Sequence, residues 1–177
     1  MQLLKTSEAA GKAPLWVCYC DYDGCLHDDA VYSHPDRGIY LTTPGRNLFE
    51  WTPILENLLA PFPEVKLVLS TSWVRMRDFQ FAKRKLPIKL QARVIGATFH
   101  NRLMRKDEFD LTSRGQQVLA DVERRRPDKW FAIDNDDLGW PEWCRKHLIK
   151  TSDRQGISCR YVQQEIRSVL ESFRNSA

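Results

Sequence analysis

Residues 17–27, VCYCDYDGCLH, place two carboxylates, Asp21 and Asp23, directly after a run of apolar residues. Side chains two positions apart point the same way from an extended chain, and Gly24 allows the backbone to turn sharply behind them. Paired carboxylates can supply a nucleophile and an acid–base group, or they can bind a hard metal ion. Asp and Gly are also common in solvated turns, so this segment alone leaves both interpretations open.

The same segment contains three of the five cysteines in the chain. An odd number of cysteines without the apolar block of a signal peptide is typical of reduced thiols, so we expect no disulfide-linked partner. Cys18 and Cys20 would then pack in the core as small hydrophobic residues. A structural zinc site is the minor alternative, because it needs four converging ligands and the other candidates are scattered. These candidates are Cys25, Cys144, His147 and Cys159.

Three consecutive hydroxyl residues, Ser70, Thr71 and Ser72, follow or end a second apolar run, EVKLVL. A hydroxyl and the next backbone N–H can together bind a phosphate oxygen. The same residue types are favoured as helix N-caps, and one of them can cap a helix while its neighbour binds a ligand. Both roles therefore stay open for this cluster.

Four polar residues, Asp134, Asn135, Asp136 and Asp137, end or follow a third apolar run, KWFAI. If the three apolar runs are parallel strands of one sheet, their carboxyl ends meet at the edge where α/β proteins bind ligands. The sequence therefore predicts that the polar clusters after all three runs lie at one edge of the sheet.

The segments around these clusters alternate between strand and helix patterns. Strands are predicted at residues 15–20, 64–70, 90–98, 129–134 and 148–151, and helices at 47–63, 73–86, 111–127, 139–149 and 161–173. Pro53 suits a first helical turn, and Ser113 with Gln116 has capping-box spacing. This alternation predicts an α/β fold with a doubly wound, mostly parallel sheet. Residues 28–46, with two prolines and two glycines, are typical of a loop or a small hairpin flap.

The 177 residues suit one domain, 1–177, with residues 1–13 as a loose N-terminal tail. A formal charge of +4 permits an anionic substrate but is weaker than the signature of a dedicated nucleic-acid binder. The basic clusters at residues 83–85 and 124–126 lie near predicted helix ends, which favour cations anyway. The chain lacks an apolar run of the roughly 18 residues that a span needs, so we expect no membrane partner and a cytoplasmic location.

The order of these motifs resembles that of the haloacid dehalogenase (HAD) superfamily over residues 15–137. More narrowly, DYDGCLH, STSW and AIDNDD are similar to the small HAD domains associated with bacterial RNA-repair proteins. The resemblance implies a Rossmann-like core without a large cap domain, in which only the flap at residues 28–46 serves as a lid. Such an open site admits a large phosphorylated substrate, for example a polynucleotide end or a phosphoprotein, as well as small phosphate esters and sugars.

The resemblance also implies a Mg²⁺-dependent phosphohydrolase. Asp21 would be the nucleophile that forms an aspartyl phosphate, and Asp23 would give a proton to the leaving oxygen and later accept one from water. Thr71 best matches the second motif, and it would bind the substrate phosphate together with Ser72 and Gly24.

For the metal, the resemblance implies Mg²⁺ held by Asp21, the carbonyl of Asp23 and Asp134, with Asp137 or Asn135 as a further contact. Many members of the superfamily have two adjacent acids at this last position. Because Asn135 follows Asp134 here, the chain keeps an oxygen ligand but loses a charge, which would weaken metal binding.

The third motif of the superfamily is a cation, and Arg114 is the best match for it. Arg114 lies twenty positions before Asp134, at the start of a predicted helix, where it could reach both phosphate and nucleophile. A lysine is more common in the superfamily, and each candidate could also be a solvated surface charge. The rival candidates are Arg105, Lys106 and Lys129.

Two other functions stay open on the sequence alone. The chain could be a binding protein that has kept the HAD fold and lost turnover, although the presence of Asp21 and Asp23 argues against this. It could instead be a phospho-accepting signalling module, but such a module needs an Asp after the third strand, and the segment RVIGATFHN has none.

Overall fold

A computed structural model describes residues 13–176, so nearly all of the predicted N-terminal tail, residues 1–13, lies outside the described residues. Seven strands are present in this part of the chain. They are β1 Trp16–Cys20, β2 Val31–His34, β3 Gly38–Leu41, β4 Val65–Leu69, β5 Val94–Ala97, β6 Lys129–Asp134 and β7 Leu148–Lys150.

Five of these strands form one sheet in the order β5-β4-β1-β6-β7, and every pair of neighbours in it is parallel. β1 is the central strand, and all five of its residues are buried, as expected for a strand covered on both faces. The doubly wound parallel sheet predicted from the sequence is therefore confirmed, with β1 at its centre.

The helices are α1 Thr52–Leu59, α2 Ser72–Met76, α3 Phe79–Arg84, α4 Ile88–Gln91, α5 Lys106–Asp110, α6 Arg114–Arg125 and α7 Arg160–Asn175. Short 3₁₀ helices occupy Glu142–His147 and Gly156–Ser158. Within residues 13–176, no helix combines the length and the apolar character that crossing a membrane requires.

The two faces of the sheet carry separate hydrophobic clusters, because alternate residues of β1 point to opposite sides. Cys18 and Cys20 join a cluster with residues of α1 and α7, whereas Val17 and Tyr19 join a smaller one that includes Val118 of α6. Helices thus cover both faces. The carboxyl edge of the sheet is left for the polar residues that follow the strands.

β2 and β3 form an antiparallel hairpin inside the predicted flap. The carboxylate of Asp28 closes its base, accepting the Ala30 N–H at 2.8 Å and the Thr43 hydroxyl at 3.1 Å. Val31 and Ile39 pack against the larger cluster, and the opposite face of the hairpin carries Tyr32. Across residues 13–176 this small hairpin is the inserted element, and no large cap is present.

Three predicted elements differ from the structure. The helix expected at residues 73–86 is split into α2 and α3, because Arg77 leaves helical geometry and the Asp78 carboxylate caps a new helix through the Phe81 N–H at 2.6 Å. Residues 90 and 91, predicted as the start of a strand, end α4. The helix expected at residues 139–149 is a 3₁₀ helix followed directly by β7.

The five cysteines are free thiols, and within residues 13–176 no group of three or more His, Cys, Asp or Glu side chains is arranged to hold a metal ion. Their neighbours explain this: the Cys144 thiol donates to the Pro141 carbonyl, and the His147 ring binds the Trp130 carbonyl at 2.9 Å. These contacts direct Cys144 and His147 to backbone carbonyls, so the two side chains do not form part of a four-ligand zinc site. The core role predicted for Cys18 and Cys20 is confirmed by their burial.

Burial makes the thiols unreactive, with one exception, which gives a direct test of the packing. Cys159 is half-buried, whereas the other four cysteines are buried. A thiol reagent such as Ellman's reagent should therefore modify one thiol per folded chain within minutes and five after denaturation. The Cys159→Ser variant should show no fast reaction. Rapid modification of two or more thiols in the folded protein would contradict the burial of the other four cysteines.

Candidate active site

Asp21 and Asp134 lie at the carboxyl ends of the adjacent strands β1 and β6. The sheet's hydrogen bonds continue one residue past the strand ends: the Asp21 N–H donates to the Ile133 carbonyl at 3.1 Å, and the Thr151 N–H donates to the Asp134 carbonyl at 3.0 Å. This backbone pairing fixes the Cα positions of Asp21 and Asp134. Both carboxylates are buried as a result.

Arg114 lies between these two carboxylates. Its Nη2 is 3.6 Å from Asp21 Oδ2, and its Nε is 3.2 Å from Asp134 Oδ2. The second distance is short, yet the N–H direction misses the oxygen, so both the Arg114 Nε and Asp134 Oδ2 are buried without a hydrogen-bond partner. The contact is an ion pair that leaves one carboxylate oxygen available.

The position of Arg114 follows from how α6 begins. Arg114 is the first residue of α6, and the Ser113 N–H donates to the Gln116 side chain at 3.1 Å, as the predicted capping box requires. Gly115 allows the helix to approach the 138–140 loop, because a Cβ atom there would lie 2.5 Å from the Gly139 carbonyl oxygen. Arg114 is held further by its Nη1, which donates to Gln117 at 3.2 Å.

Burial controls the electrostatics of this cluster. It raises the pKa of Asp21 to about 6, against the opposing effect of Arg114. Burial and the neighbouring Asp21 carboxylate raise the pKa of Asp134 well above its usual range. For Arg114, burial acts to lower the pKa, but the carboxylates of Asp21 and Asp134 outweigh it and raise the pKa above the ordinary value. The site therefore needs cations to hold both acids ionised.

The hydroxyl cluster lies beside Asp21. The Ser70 N–H donates to the Cys20 carbonyl at 2.9 Å, which aligns the end of β4 with the end of β1. Thr71 caps α2 by accepting the Trp73 N–H at 3.4 Å, and its hydroxyl also favours the ionised form of Asp21. Ser72 is half-buried. Capping and ligand binding are thus compatible in this cluster, as the sequence suggested.

Gly24 has a left-handed backbone, with φ of 66°, and a Cβ atom there would lie 2.5 Å from the amide nitrogen of Asn135. A glycine is required at this turn for both reasons. The Gly24 carbonyl accepts the Thr151 hydroxyl at 2.7 Å, which ties the turn to the end of β7. The structure thus gives Gly24 a definite structural role near the predicted phosphate site.

The polar side chains that follow Asp134 point in different directions. The Asp137 carboxylate pairs with Lys150 at 2.8 Å and with Arg145 at 3.8 Å. The Asn135 amide donates to Asp153 at 2.9 Å. Within residues 13–176 neither side chain forms a hydrogen bond or salt bridge with Asp21 or Asp134, although the Asn135 amide lies against Gly24 in the turn after β1. The Asp136 N–H instead donates to Asp134 Oδ1 at 3.0 Å and orients that carboxylate.

Asp23 is held by two residues that sequence reasoning did not assign to the site, His27 and Trp73. The ring Nε2 of His27 lies 3.0 Å from Asp23 Oδ1, and the indole N–H of Trp73 donates to the same oxygen at 2.9 Å. The spacing of His27, four positions after Asp23, was the available sequence signal. Trp73, fifty positions away, gave none.

The oxygen atoms at this edge fit a small hard cation. Within residues 13–176, no group of three or more His, Cys, Asp or Glu side chains is arranged to hold a metal ion, so the side chains contribute two carboxylates, Asp21 and Asp134. Mg²⁺ commonly takes only one or two carboxylates and completes its octahedron with carbonyls, water and phosphate oxygen. The buried Asp134 Oδ2, which accepts no hydrogen bond, matches that requirement.

The rival cations of the third motif lie elsewhere. Arg105 is exposed and pairs with Asp107 at 2.8 Å, and Lys129 lies at the amino end of β6 against the ring of Trp16. Lys106 lines a surface groove next to the site. Of the four candidates, Arg114 is the one that contacts Asp21 and Asp134.

Two adjoining depressions lie beside the site, and one of them is lined by Arg114. The Arg114 cleft, of about 390 Å³, is lined by residues that include Ser72, Arg75 and Arg114. The basic groove, of about 310 Å³, shares Arg75 with it and is also lined by Arg77, Phe79, Phe99 and Lys106. Arg75 is thus common to both, so the site continues into a groove lined by three cations, one acid, Asp78, and two aromatic rings.

Most of the chain matches the model of one known protein family. Residues 17–162 match the family model described as the HAD domain in Swiss Army Knife RNA repair proteins. The matched segment includes Asp21, Asp23, Thr71, Arg114 and Asp134. No curated protein and no solved structure matches the chain.

The raised pKa of Asp21 predicts how the metal-free protein responds to pH. A carboxyl group whose pKa rises from 3.8 to about 6 on folding favours the folded state at low pH, and this contribution is lost as the pH rises through 6. The melting temperature of wild type relative to Asp21→Asn should fall by about 5 °C between pH 4 and pH 7.5, since one pKa unit is about 1.4 kcal/mol. Added Mg²⁺ should reverse the fall.

Asp36→Asn is the matched control, because this carboxylate on the flap is 90 % exposed. Relative to wild type, its melting temperature should not change across the same pH range. If the Asp21→Asn variant followed the wild type at every pH, burial of Asp21 would not be a source of instability.

Proposed function

The chain belongs to the family of HAD domains in Swiss Army Knife RNA repair proteins, and from this membership we propose that it is a Mg²⁺-dependent phosphohydrolase that forms an aspartyl phosphate. Membership in this family suggests hydrolysis of phosphate esters. The metal, the intermediate and the residue roles are our proposal. We also propose that the substrate is a phosphorylated polynucleotide end.

One observation carries the proposal: Arg114 lies within 3.6 Å of Asp21 and 3.2 Å of Asp134 at the carboxyl edge of the sheet. A cation between two buried carboxylates holds both in place, and its guanidinium can also bind a phosphate oxygen. A nucleophile, a cation and a second acid thus lie side by side. This is the arrangement that phosphoryl transfer to a carboxylate needs.

In the first half-reaction, a carboxylate oxygen of Asp21 attacks the phosphorus of the ester. The bond from phosphorus to the leaving oxygen breaks, and Asp23 gives its proton to that oxygen. The products are a free hydroxyl on the substrate, an aspartyl phosphate at Asp21 and an ionised Asp23. Thr71, Ser72 and Arg114 bind the oxygens of the transferred group during this step.

In the second half-reaction, a water oxygen attacks the phosphorus and gives a proton to Asp23. The bond from phosphorus to the Asp21 oxygen breaks, which releases inorganic phosphate and restores both carboxyl groups. Asp23 therefore serves as acid and then as base. When bound by Asp21, Asp134 and the Asp23 carbonyl, Mg²⁺ neutralises phosphate charge and helps to align the reacting groups.

The substrate proposal rests on the basic groove. Phosphodiester backbones are anionic and bases stack on aromatic rings, so cations interleaved with Phe79 and Phe99 suit a strand that leaves the Arg114 cleft. Arg75 pairs with Asp110 at 3.0 Å, whereas Arg77 and Lys106 form no salt bridge within the described residues. These two cations are available for phosphates.

Substitution of Asp23 and of Asp134 by Asn should impair catalysis in different ways. Asp23→Asn removes the proton donor and later base but keeps the backbone carbonyl. The leaving group of p-nitrophenyl phosphate needs no proton, so with this ester the loss of the base should lower kcat by about 10²- to 10⁴-fold with little change in Mg²⁺ dependence. Asp134→Asn removes a charged ligand, so more Mg²⁺ should be needed and saturating metal should restore part of the rate. The measurement is the rate with p-nitrophenyl phosphate against Mg²⁺ concentration.

Asp21→Asn is the reference, because it keeps the shape of the nucleophile and should remove turnover while the protein stays folded. Wild-type rates at background with and without Mg²⁺ would favour a HAD-fold binding protein instead. An unchanged Mg²⁺ dependence in Asp134→Asn would refute the proposed division of roles.

The basic groove should matter for a phosphorylated oligonucleotide and not for a small ester. In the double variant Arg77→Ala, Lys106→Ala, the KM for a terminally phosphorylated oligonucleotide should rise about 10-fold at low salt, because two phosphate contacts are lost. The kcat/KM for p-nitrophenyl phosphate should stay unchanged.

A matched control removes the same charge elsewhere. Lys89 and Arg126 are exposed and lie just before the amino ends of strands, opposite the site. Lys89→Ala combined with Arg126→Asn, which tolerates the left-handed backbone at this position, should leave the oligonucleotide KM at the wild-type value. Equal effects in both double variants would mean that net charge, and not the groove, attracts the oligonucleotide.

A further inference from the structure

The two oxygens of the Asp23 carboxyl group have different surroundings. Oδ1 accepts two hydrogen bonds, from the Trp73 indole at 2.9 Å and from the His27 ring at 3.0 Å. Oδ2 has no hydrogen-bond partner within residues 13–176, and the side chain is 22 % exposed. One oxygen is therefore occupied by protein donors and the other is free to meet a ligand.

The direction of the His27 bond follows from the other ring nitrogen. The Phe49 backbone N–H points at His27 Nδ1 at 3.2 Å, and an N–H can only donate. Nδ1 of the neutral imidazole is therefore the acceptor, so the ring hydrogen lies on Nε2 and is donated to Asp23. His27 is fully buried, and its ring packs edge-on against Phe49 with centroids 4.7 Å apart, so it cannot turn away easily.

Trp73 is fixed just as firmly. It is buried at the start of α2, and its ring packs against Tyr22, Phe49 and Phe81. Both donors thus come from the rigid interior. Each of these buried N–H groups needs an acceptor, and both find it in the same oxygen of Asp23, so satisfying the two donors also fixes the orientation of that carboxyl group.

We propose that His27 and Trp73 are positioning residues that fix Asp23 with Oδ2 as the oxygen that exchanges the proton with substrate and water. The inference rests on the proposed function, in which Asp23 is the acid and then the base. Two N–H donors on Oδ1 use both of its lone pairs, so a proton on this carboxyl group resides on Oδ2. From Oδ2 the proton passes to the leaving oxygen, and the same Oδ2 later accepts one proton from water.

The series of hydrogen bonds that positions Asp23 extends to the segment after the flap. Phe49 follows the flap, and its backbone is left-handed with φ of 61°, which is unusual for a bulky residue and is consistent with a constrained turn. Its N–H determines the tautomer of His27, and His27 in turn orients Asp23. The connection after the flap is therefore tied to the proposed proton donor through two hydrogen bonds.

Two substitutions at His27 separate its two hydrogen bonds. The amide nitrogen of Gln reaches the position of Nε2 and keeps a donor to Asp23, whereas the shorter Asn keeps an oxygen near the Phe49 N–H and does not reach Asp23. For a substrate with an alkyl leaving group, such as glycerol phosphate, kcat/KM should fall about 10- to 100-fold in His27→Asn and less than about 3-fold in His27→Gln.

The leaving group provides the readout that a purely structural role would not produce. The value of kcat/KM reports the transfer to Asp21, and nitrophenolate leaves without needing a proton. With p-nitrophenyl phosphate, His27→Asn should therefore keep kcat/KM within about 3-fold of wild type. Trp73→Phe, which keeps an aromatic ring but removes the N–H, should show the same selective loss with the alkyl ester.

Each outcome is decisive. Equal losses with both esters in His27→Asn and Trp73→Phe, or equal behaviour of the Asn and Gln variants, would overturn the positioning role while the wild-type rates still support a phosphohydrolase. If the wild type hydrolysed neither ester, the proposed function would fail and the inference with it. Should His27→Asn not fold by circular dichroism, Trp73→Phe decides alone.

Discussion

Two carboxylates, Asp21 and Asp134, are buried beside each other at the carboxyl edge of the sheet. Much of the structure around the site compensates the unfavourable free energy of burying their charges. Burial of ionised groups is unfavourable unless they are paired, and two acids together repel each other. Arg114 compensates part of this charge from between them. Asp134 Oδ2 takes part in this ion pair but accepts no hydrogen bond within residues 13–176, so it can still accept one from a ligand.

Placing a guanidinium between these acids requires α6 to be held at both ends. At its start, the close approach of Gly115 to the Gly139 carbonyl fixes the height of Arg114 above the sheet. Towards its end, the buried Asp121 accepts the Tyr19 hydroxyl of β1 at 2.9 Å and pairs with Arg125 at 2.8 Å. The basic cluster at residues 124–126 therefore helps to hold α6 in place through Arg125. This agrees with the assignment of such clusters to helix ends.

The sequence predicts the elements whose patterns are local. All five sheet strands were predicted, four of them close to their bounds, because buried parallel strands appear in a sequence as apolar runs. The strand predicted at residues 90–98 begins only at Val94, since residues 90 and 91 end α4. The polar residues after the strands identify the ligand-binding edge. The split of residues 73–86 was missed, because the apolar periodicity continues through Asp78 and only the observed cap shows that a new helix begins. The 3₁₀ form of Glu142–His147 also has no clear signature in the sequence.

Side-chain direction was the least predictable feature of the site. Asp137 is three residues after Asp134, the β6 carboxylate that faces Arg114, yet it turns towards Lys150, a partner supplied by the neighbouring strand β7. The orientation of Asp23 likewise depends on Trp73 and on the Phe49 backbone, which only the folded chain brings near. Spacing places a residue at an edge, whereas its direction depends on partners that are distant in sequence.

The contrast between Asp21 and Asp23 shows how one short motif can supply two kinds of carboxyl group. Asp21 is buried and faces the guanidinium of Arg114, which favours the anion that a nucleophile needs. Asp23 is partly exposed and is held through one oxygen by two N–H groups of His27 and Trp73, which leaves the other oxygen accessible. Neighbouring carboxyl groups in unlike surroundings are the usual basis for dividing acid and nucleophile roles. In this chain the division follows from the neighbours of each residue: α6 supplies the cation Arg114 to Asp21, whereas Trp73 of α2 and His27 supply hydrogen-bond donors to Asp23.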